Sequence, residues 1–152
     1  MLSMGCGELE GFSVVARDHA ARPRNRGVLE EFNGHARITG PCGDTMEFWI
    51  SVHDGTVTAA SFVTDGCGSS LACGSMATEL AKGRRVEEAA GVRQHDILQA
   101  LGGLPPEFQH CALLASNTLK AACADFEGWQ RLQSRFVRIQ HTIIVGPGKK
   151  GA

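Results

Sequence analysis

Three cysteines of this 152-residue chain lie in local sequences that favour exposure and reactivity. Cys42 belongs to the sequence GPCGD, which places Asp44 two residues after a thiol. Cys67 lies between two glycines, and Cys111 directly follows His110. Glycine has no side chain and lets other groups approach the backbone closely. A cysteine that is merely buried does not need a glycine on each side of it. These five residues are therefore the candidate metal-binding or cluster-binding side chains.

Thiolates of this kind bind zinc, Cu(I) or iron–sulfur centres, and a carboxylate or an imidazole can complete the set of ligands. Separations of 25 and 44 residues between the three cysteines are too long for a local zinc knuckle. The alternative is that all three are packed thiols, since free cysteine is commonly buried. Spacing alone favours a shared site only slightly over that alternative, and the residues that flank the cysteines strengthen the preference. A cysteine at a helix start or on an exposed loop is also expected to have a lowered pKa.

The elements that would position these residues begin with a sheet. Residues Thr45 to His53 alternate strictly between apolar and polar side chains, and Asp54-Gly55 is a strong signal for a two-residue hairpin. Residues 56–64 form a returning β-branched run with weaker alternation, because Phe62 has the opposite parity to Val57. Together with residues 35–39 they predict a three-stranded antiparallel meander.

Helices are predicted both before and after these strands in the sequence. Ser13 is expected to cap a helix over about 12–21, with Phe12, Val15, Ala16 and His19 on one face. Ser69 or Ser70 is expected to cap a helix that ends near Lys82, with Gly83 as its stop. Two short helices over 86–90 and 95–101 precede a long, mostly buried helix over about 108–126, whose narrow polar stripe is Ser116, Asn117 and Lys120. The fold class is therefore α+β, a small three-stranded antiparallel sheet packed by several helices, the last of them long.

Composition excludes several classes of function. With 15 basic and 16 acidic residues, the chain lacks the charge that general nucleic-acid or anionic-membrane binding requires. No apolar run approaches a membrane span, and residues 1–10 lack the features of a secretory signal. We therefore expect a cytoplasmic protein whose cysteines are thiols or metal ligands rather than disulfides.

The domain organisation is expected to comprise a flexible lead-in over residues 1–11, one functional domain over 12–129 and a partly disordered extension over 130–152. Three arginines of the extension are spaced for one helix face, 141–145 is a β-prone run, and 146–152 has the composition of a disordered tail. A solvated extension is favoured over a segment that docks on a partner.

The remaining cysteines and histidines are expected to be structural or on the surface: a bystander thiol at Cys6, packed Cys73 and Cys123, a packed or surface His19, and surface His35, His53, His95 and His141.

The order and spacing of several sequence blocks resemble the IscU/NifU-type iron–sulfur cluster assembly scaffolds, over roughly residues 12–126. The blocks are His19 with PRN at 23–25, GPCGD at 40–44, TDGCGS at 64–69, SMATEL at 75–80, Asp96-Ile97, LPP at 104–106 and His110-Cys111. The NifU-like branch is the more similar, and the chain resembles its N-terminal scaffold domain standing alone.

The resemblance implies that Cys42, Cys67 and Cys111 bind the cluster and accept sulfur, with Asp44 and His110 as further ligands. It implies a scaffold or carrier rather than an enzyme, which receives sulfur from a NifS/IscS-like cysteine desulfurase, takes iron and electrons from donors, and passes the cluster to apo-proteins. The cargo is expected to be [2Fe–2S], with [4Fe–4S] or Zn²⁺ possible on the same ligands. Cys111, at a helix start beside a histidine, is the expected persulfide acceptor.

One departure concerns the LPP motif. In the IscU branch it continues with Val-Lys and is read by an Hsp70-type chaperone, whereas here it continues with Glu107-Phe108, which weakens the case for that partner. The motif could equally be a turn that starts the last helix. Two alternative functions stay open: a zinc-dependent sulfurtransferase of the SufU type, against which the compact interval 83–103 argues, and a structural zinc adaptor.

Overall fold

The computed structural model of the chain describes residues 9–145, and the surroundings of side chains over residues 9–135. In chain order the elements are α1 (Val14–Ala21), β1 (Gly34–Thr39), β2 (Thr45–His53), β3 (Thr56–Thr64), α2 (Gly68–Ala81), α3 (Val86–Ala90), α4 (Gln94–Ala100), a 3₁₀ turn (Pro106–Phe108) and α5 (Gln109–Val145). The predicted α+β class and the long last helix are confirmed.

The sheet is an antiparallel meander in the order β1-β2-β3, as predicted. Asp54 and Gly55 turn the chain between β2 and β3 with φ values of 53° and 79°. Positive φ at both central residues is the requirement of a type I′ hairpin turn. The loop between β1 and β2, residues 40–44, lies at the opposite end of the sheet from this turn.

A β-bulge explains the weak alternation of β3. The register shifts between Ser51 and Val52 of β2, which leaves Thr58 as an extra residue in the opposite strand. A bulge of one residue exchanges the two faces for the remainder of the strand. Val57 and Phe62 therefore share the core despite their opposite parity, and both are 0 % exposed.

One face of the sheet carries the main core, with α5 packed on β1 and β2 and with α2 packed on β3. The apolar residues of β2 that alternate in sequence all lie in this core. The largest fully buried apolar side chains come from the sheet, from α4 and the residue that follows it, and from α5: Met46, Phe48, Ile50, Phe62, Ile97, Leu101 and Leu119.

Helix α1 begins as predicted, since Oγ of Ser13 accepts a hydrogen bond from the backbone N–H of Ala16 at 2.9 Å. Its buried face differs from the prediction, because Val15 is 42 % exposed whereas Ala20 is buried. His19 is a packed histidine, with Nδ1 lying 2.7 Å from Oγ of Ser75 on α2. This hydrogen bond fastens α1 to α2.

The predicted cap of α2 is wrong. Cys67 is the N-cap residue, without a side-chain capping bond, and Ser69 and Ser70 lie inside the first turn, almost fully buried. Their hydroxyls make hydrogen bonds across the fold instead of returning to the N–H groups of their own helix. The predicted stop is confirmed, since Gly83 follows the helix with φ of 87°.

Helix α5 continues well past the predicted end near residue 126, and the predicted β-prone run 141–145 is helical. No proline and no glycine beyond residue 128 interrupts the sequence before Gly146, so nothing local ends the helix. In the predicted polar stripe Asn117 and Lys120 are exposed, but Ser116 is buried and donates to the carbonyl of Leu113 at 3.0 Å.

The expectations of a loose lead-in over residues 1–8, a bystander role of Cys6 and a disordered 146–152 tail lie outside the described residues. Over the part of the chain that is described, no helix is long and apolar enough to span a membrane.

Candidate functional site

The loop between β1 and β2 presents Cys42 and Asp44. The backbone N–H of Gly40 donates to the carbonyl of Asp44 at 2.8 Å, and that of Gly43 donates to the carbonyl of Gly40 at 3.0 Å. These bonds close the loop into a tight turn with Cys42 exposed on it and Asp44 half-buried at its end. The loop thus holds a thiol in solvent and directs a carboxylate towards the protein.

The turn between β3 and α2 is attached to this loop. Oδ1 of Asp65 accepts a hydrogen bond from the backbone N–H of Thr45 at 2.8 Å. Gly66 is required by close approach, since a Cβ there would overlap the hydroxyl of Ser70 and lie 2.9 Å from Oδ2 of Asp44. The glycine before Cys67 therefore makes room for the contact between Asp44 and α2.

Two buried serines connect the predicted ligands. The hydroxyl of Ser70 donates to Oδ2 of Asp44 at 3.2 Å and lies 3.6 Å from Sγ of Cys111. The hydroxyl of Ser69 lies 3.2 Å from Sγ of Cys111 and 3.6 Å from Sγ of Cys67. The start of α2 thus joins three of the candidate ligands through hydrogen bonds.

Cys111 is the buried member of the group, with 2 % exposure in the first turn of α5. Burial raises the pKa of its thiol, hydrogen bonds from Ser69 and Ser70 oppose that rise, and the negative charges of Cys67 and Asp44 add to it. The expectation that the start of a helix lowers the pKa of Cys111 is therefore wrong for this conformation, because desolvation dominates.

His110 lies beside Cys111, with Nε2 at 3.7 Å from Sγ, and its side chain is exposed. The structure thus brings Asp44, Cys67, His110 and Cys111 into one connected group, with Cys42 exposed on the loop that carries Asp44. Among residues that the structure describes, no three metal-binding side chains form a ready-made metal site.

The bridging roles of Ser69 and Ser70 and the packing role of Gly66 were not predicted from the sequence. The signal available was the sequence GCGSS, in which two small hydroxyl residues directly follow a cysteine at a helix start. Serine at such a position favours the capping interpretation, and only the position of α5 shows that these hydroxyls have partners elsewhere.

The other cysteines are packed, as predicted for Cys73 and Cys123, both 0 % exposed. Burial raises the pKa of Cys73 well above its ordinary value and that of Cys123 to about 12. His53 and His95 are exposed, whereas His35 is half-buried with Nε2 at 2.6 Å from a Glu47 carboxylate oxygen.

The LPP motif has a local structural role in the turn before α5. Leu104 is buried, and Pro106 starts the 3₁₀ turn. The ring of Phe108 packs edge-on against the ring of Phe12, with 5.4 Å between the two ring centres. The side-chain amide of Gln109 donates to the carbonyl of Leu104 at 3.1 Å. These contacts agree with the interpretation of the motif as a turn that starts the last helix.

Comparison with known proteins finds relatives that are described as IscU scaffold proteins. The sequence is 41 % identical over 116 residues to the iron–sulfur cluster assembly scaffold protein IscU 1 of Archaeoglobus fulgidus, which covers 76 % of each chain. It is also 41 % identical over 121 residues to IscU of Escherichia coli, over 76 % of this chain and 94 % of that one.

Solved structures share the fold at low sequence identity. The N-terminal domain of a NifU-like protein from Brucella abortus superposes with a TM-score of 0.60 at 18 % identity, over 76 % of this chain and 94 % of that one. A SufU protein from Fervidobacterium islandicum superposes with a TM-score of 0.59 at 18 % identity, over 74 % and 96 %. The family described as the NifU-like N terminal domain matches residues 12–133, and the chain therefore belongs to that family.

Proposed function

We propose that this protein is a scaffold on which an iron–sulfur cluster is assembled and from which it is handed to apo-proteins. The observation that carries the proposal is the connection of Asp44, Cys67 and Cys111 through two buried serines, at one end of a fold whose relatives are IscU scaffolds. The protein acts as a carrier and needs no catalytic turnover of its own.

The donor atoms suit this cargo. Cys42, Cys67 and Cys111 offer three thiols, which are the usual ligands of iron–sulfur clusters. Asp44 or His110 would provide the fourth position, and we favour a [2Fe–2S] cluster over [4Fe–4S]. Zn²⁺ would occupy the same residues, because zinc also binds thiolate, imidazole and carboxylate.

Release of the cargo follows from the mixed character of the ligands. Four thiolates would retain a cluster firmly, whereas a carboxylate is a harder and weaker ligand for it. Asp44 is half-buried and held by Ser70, so that it lies at the site but can exchange with solvent or with an acceptor protein. We propose that Asp44 keeps the cluster exchangeable.

Sulfur would arrive as the outer sulfur of a persulfide on a cysteine desulfurase. A thiolate of this protein attacks that sulfur, the S–S bond of the donor breaks, and the donor cysteine leaves as a thiolate. We propose Cys111 as the acceptor, because two serine hydroxyls and His110 surround its sulfur with hydrogen-bonding groups. Since Cys111 is buried, docking of the donor must first separate it from Ser69.

The partners in this proposal are a NifS/IscS-like cysteine desulfurase, donors of iron and electrons, and apo-proteins that receive the cluster. We do not include an Hsp70-type chaperone among them, because Glu107 and Phe108 follow the LPP motif where the IscU branch has Val-Lys. We propose a cytoplasmic location, where thiols stay reduced.

Anaerobic reconstitution with iron, cysteine and a desulfurase tests the proposal, with absorption spectroscopy as the measurement. We expect charge-transfer bands that Cys42→Ser, Cys67→Ser and Cys111→Ser each weaken strongly, while Cys123→Ala, which changes a buried thiol far along α5, keeps them. Zinc that accelerates desulfurase turnover without cluster formation would favour a sulfurtransferase instead. Zinc that cannot be displaced and has no effect on the desulfurase would indicate a structural adaptor.

Mass spectrometry identifies the acceptor in the same system. After incubation with the desulfurase and cysteine alone, a mass increase of one sulfur is expected on Cys111 and is expected to be absent from Cys111→Ser. Persulfide that forms first on Cys42 and persists in Cys111→Ser would reject the assignment.

A further inference from the structure

A groove lies between the turn that joins α3 to α4 and the exposed face of α5. It has a volume of about 650 Å³ and is lined by residues 90–95 and by four residues of α5. Its two walls are held together, because α3 and α4 both pack on α5 and the side-chain amide of Gln94 donates to the carbonyl of Gln109 at 3.0 Å. We call this feature the α4–α5 groove, and it is formed without any partner.

The lining of the α4–α5 groove exposes more apolar than polar surface. Val92 is almost fully buried at the groove, whereas Leu113 on α5 is 45 % exposed in it. The neighbouring Leu114 lies in the core. A large apolar side chain that is left open in a groove offers surface that an apolar side chain of another protein can cover.

A positive charge lies on each wall of the groove. Arg93 is on the turn before α4 and Lys120 is on α5, and both are exposed. None of the described residues that line the groove is acidic. Over residues 9–135, no carboxylate forms an ion pair with either of the two cations. The groove therefore attracts negative charge, although the chain as a whole carries a net charge of −1.

The nearest carboxylates in sequence are engaged in helix caps. Asp96 accepts a hydrogen bond from the backbone N–H of Arg93 at 2.9 Å, at the start of α4. Glu88 accepts one from the backbone N–H of Arg85 at 3.3 Å, at the start of α3. The guanidinium of Arg93 and the ammonium of Lys120 are thus left to interact with groups from outside the chain.

The groove continues from the proposed cluster site along α5. His110, Leu113, Asn117 and Lys120 follow one another at steps of three, four and three residues, so they share one face of the helix. His110 lies beside Cys111, with 3.7 Å between Nε2 and Sγ. Lys120 is about 15 Å further along the helix axis. A partner in the groove would therefore lie alongside the residues that would hold the cluster.

We propose that the α4–α5 groove docks the protein that receives the cluster, through an acidic segment of that protein that carries one large apolar side chain. The proposal rests on the scaffold function proposed above. The apolar side chain covers Leu113, and carboxylates on either side of it face Arg93 and Lys120. Two cations are too few to hold a nucleic-acid backbone.

The position of the groove favours the recipient over the sulfur donor. A donor must reach Cys111, whose sulfur lies against Ser69 of α2, whereas the groove is on the side of α5 that faces α4. A recipient must bring several cysteine thiolates to the cluster, and cations beside the site favour the approach of that negative charge. Docking in the groove leaves the α2 side of Cys111 free.

The test is the rate of cluster transfer from the loaded full chain to an acidic apo-ferredoxin, measured over a range of ferredoxin concentrations. Arg93→Glu/Lys120→Glu is expected to raise the ferredoxin concentration that gives half the maximal rate by about tenfold, because each change replaces attraction by repulsion. The maximal rate and the amount of cluster loaded should stay as in the wild type. The matched control Arg17→Glu/Arg84→Glu makes the same change of charge at two exposed arginines outside the groove and should raise that concentration much less.

The apolar contact is tested separately with Leu113→Ser. This variant is also expected to raise the ferredoxin concentration of half-maximal rate, by about threefold or more, because less apolar surface is covered on docking. Leu132→Ser changes a leucine of α5 that is 61 % exposed outside the groove and should behave as the wild type. Added salt should slow transfer at low ferredoxin concentration in the wild type and have less effect on Arg93→Glu/Lys120→Glu.

Three results would overturn the proposal while the wild type still loads and transfers its cluster. These are an unchanged half-maximal concentration in the groove variants, equal effects of the two double variants, and a weakened response to the desulfurase in place of a weakened response to ferredoxin. A wild type that loads no cluster or transfers none would overturn the scaffold function and this proposal together. Circular dichroism of each variant shows that the fold is retained.

Discussion

The hydroxyl of Ser70 lies 3.2 Å from the carboxylate of Asp44 and belongs to a side chain with no solvent exposure. Asp44 is on the loop between β1 and β2, whereas Ser70 is in the first turn of α2. The same hydroxyl lies 3.6 Å from Sγ of Cys111, at the start of α5. One serine therefore sets the distance between the carboxylate and the third thiol of the proposed site.

Ser70→Ala is expected to release Asp44 from α2. The loss of one hydrogen bond to a half-exposed carboxylate should lower the free energy of unfolding by about 1 to 2 kcal/mol. Cluster loading should also slow, because Asp44 is no longer held near the thiols. Urea unfolding and reconstitution rates measure the two effects. Ser134→Ala, on exposed helix surface, should change stability by less than about 0.5 kcal/mol. Unchanged loading by Ser70→Ala would contradict the positioning role.

The five cysteines that the structure describes should differ sharply in reactivity. Iodoacetamide at neutral pH is expected to modify exposed Cys42 and Cys67 first, and buried Cys73, Cys111 and Cys123 slowly. Burial slows the reaction in two ways, because it blocks access of the reagent to the sulfur and raises the pKa of the thiol. The pKa of Cys123 is raised to about 12. Peptide mass spectrometry over time gives the order. Modification of Cys111 as fast as that of Cys42 would show that the contact of Cys111 with Ser69 is open in solution.

His19 should make stability depend on pH. Its pKa is lowered first by burial and then by the positive charge of Arg24, so the folded state binds the neutral imidazole better. The stabilisation is complete above the unfolded-state pKa of about 6.5 and is lost as the pH falls through the lower folded-state pKa. Unfolding free energy should therefore decrease more between pH 7.5 and 5 in the wild type than in His19→Gln.

The control for this pH dependence is His95→Gln, which changes an exposed histidine and should leave the profile parallel to that of the wild type. A difference between wild type and His19→Gln that stays constant over this range would mean that His19 titrates equally in the folded and unfolded states.

The strands and the short helices could be predicted closely from the sequence, because period-two alternation and glycine turns are local signals. The parity change in β3 could not, since the bulge at Thr58 depends on the pairing with β2. The five candidate ligands could be proposed from their flanking residues, and the structure places four of them in one group. The bridging roles of Ser69 and Ser70 depend on where α5 packs, so a local capping rule was misleading there.

The variant Asp44→Ala distinguishes two interpretations of the site, one that transfers its cluster to other proteins and one that retains it. Protein loaded with cluster anaerobically is mixed with an apo-ferredoxin, and the appearance of the ferredoxin spectrum is followed. Wild type is expected to transfer its cluster, and Asp44→Ala should retain a longer-lived cluster and transfer it more slowly, while Glu107→Ala, which removes an exposed carboxylate from the 3₁₀ turn, should behave as wild type. Failure of the loaded wild type to transfer any cluster, or equal transfer rates for wild type and Asp44→Ala, would contradict the account.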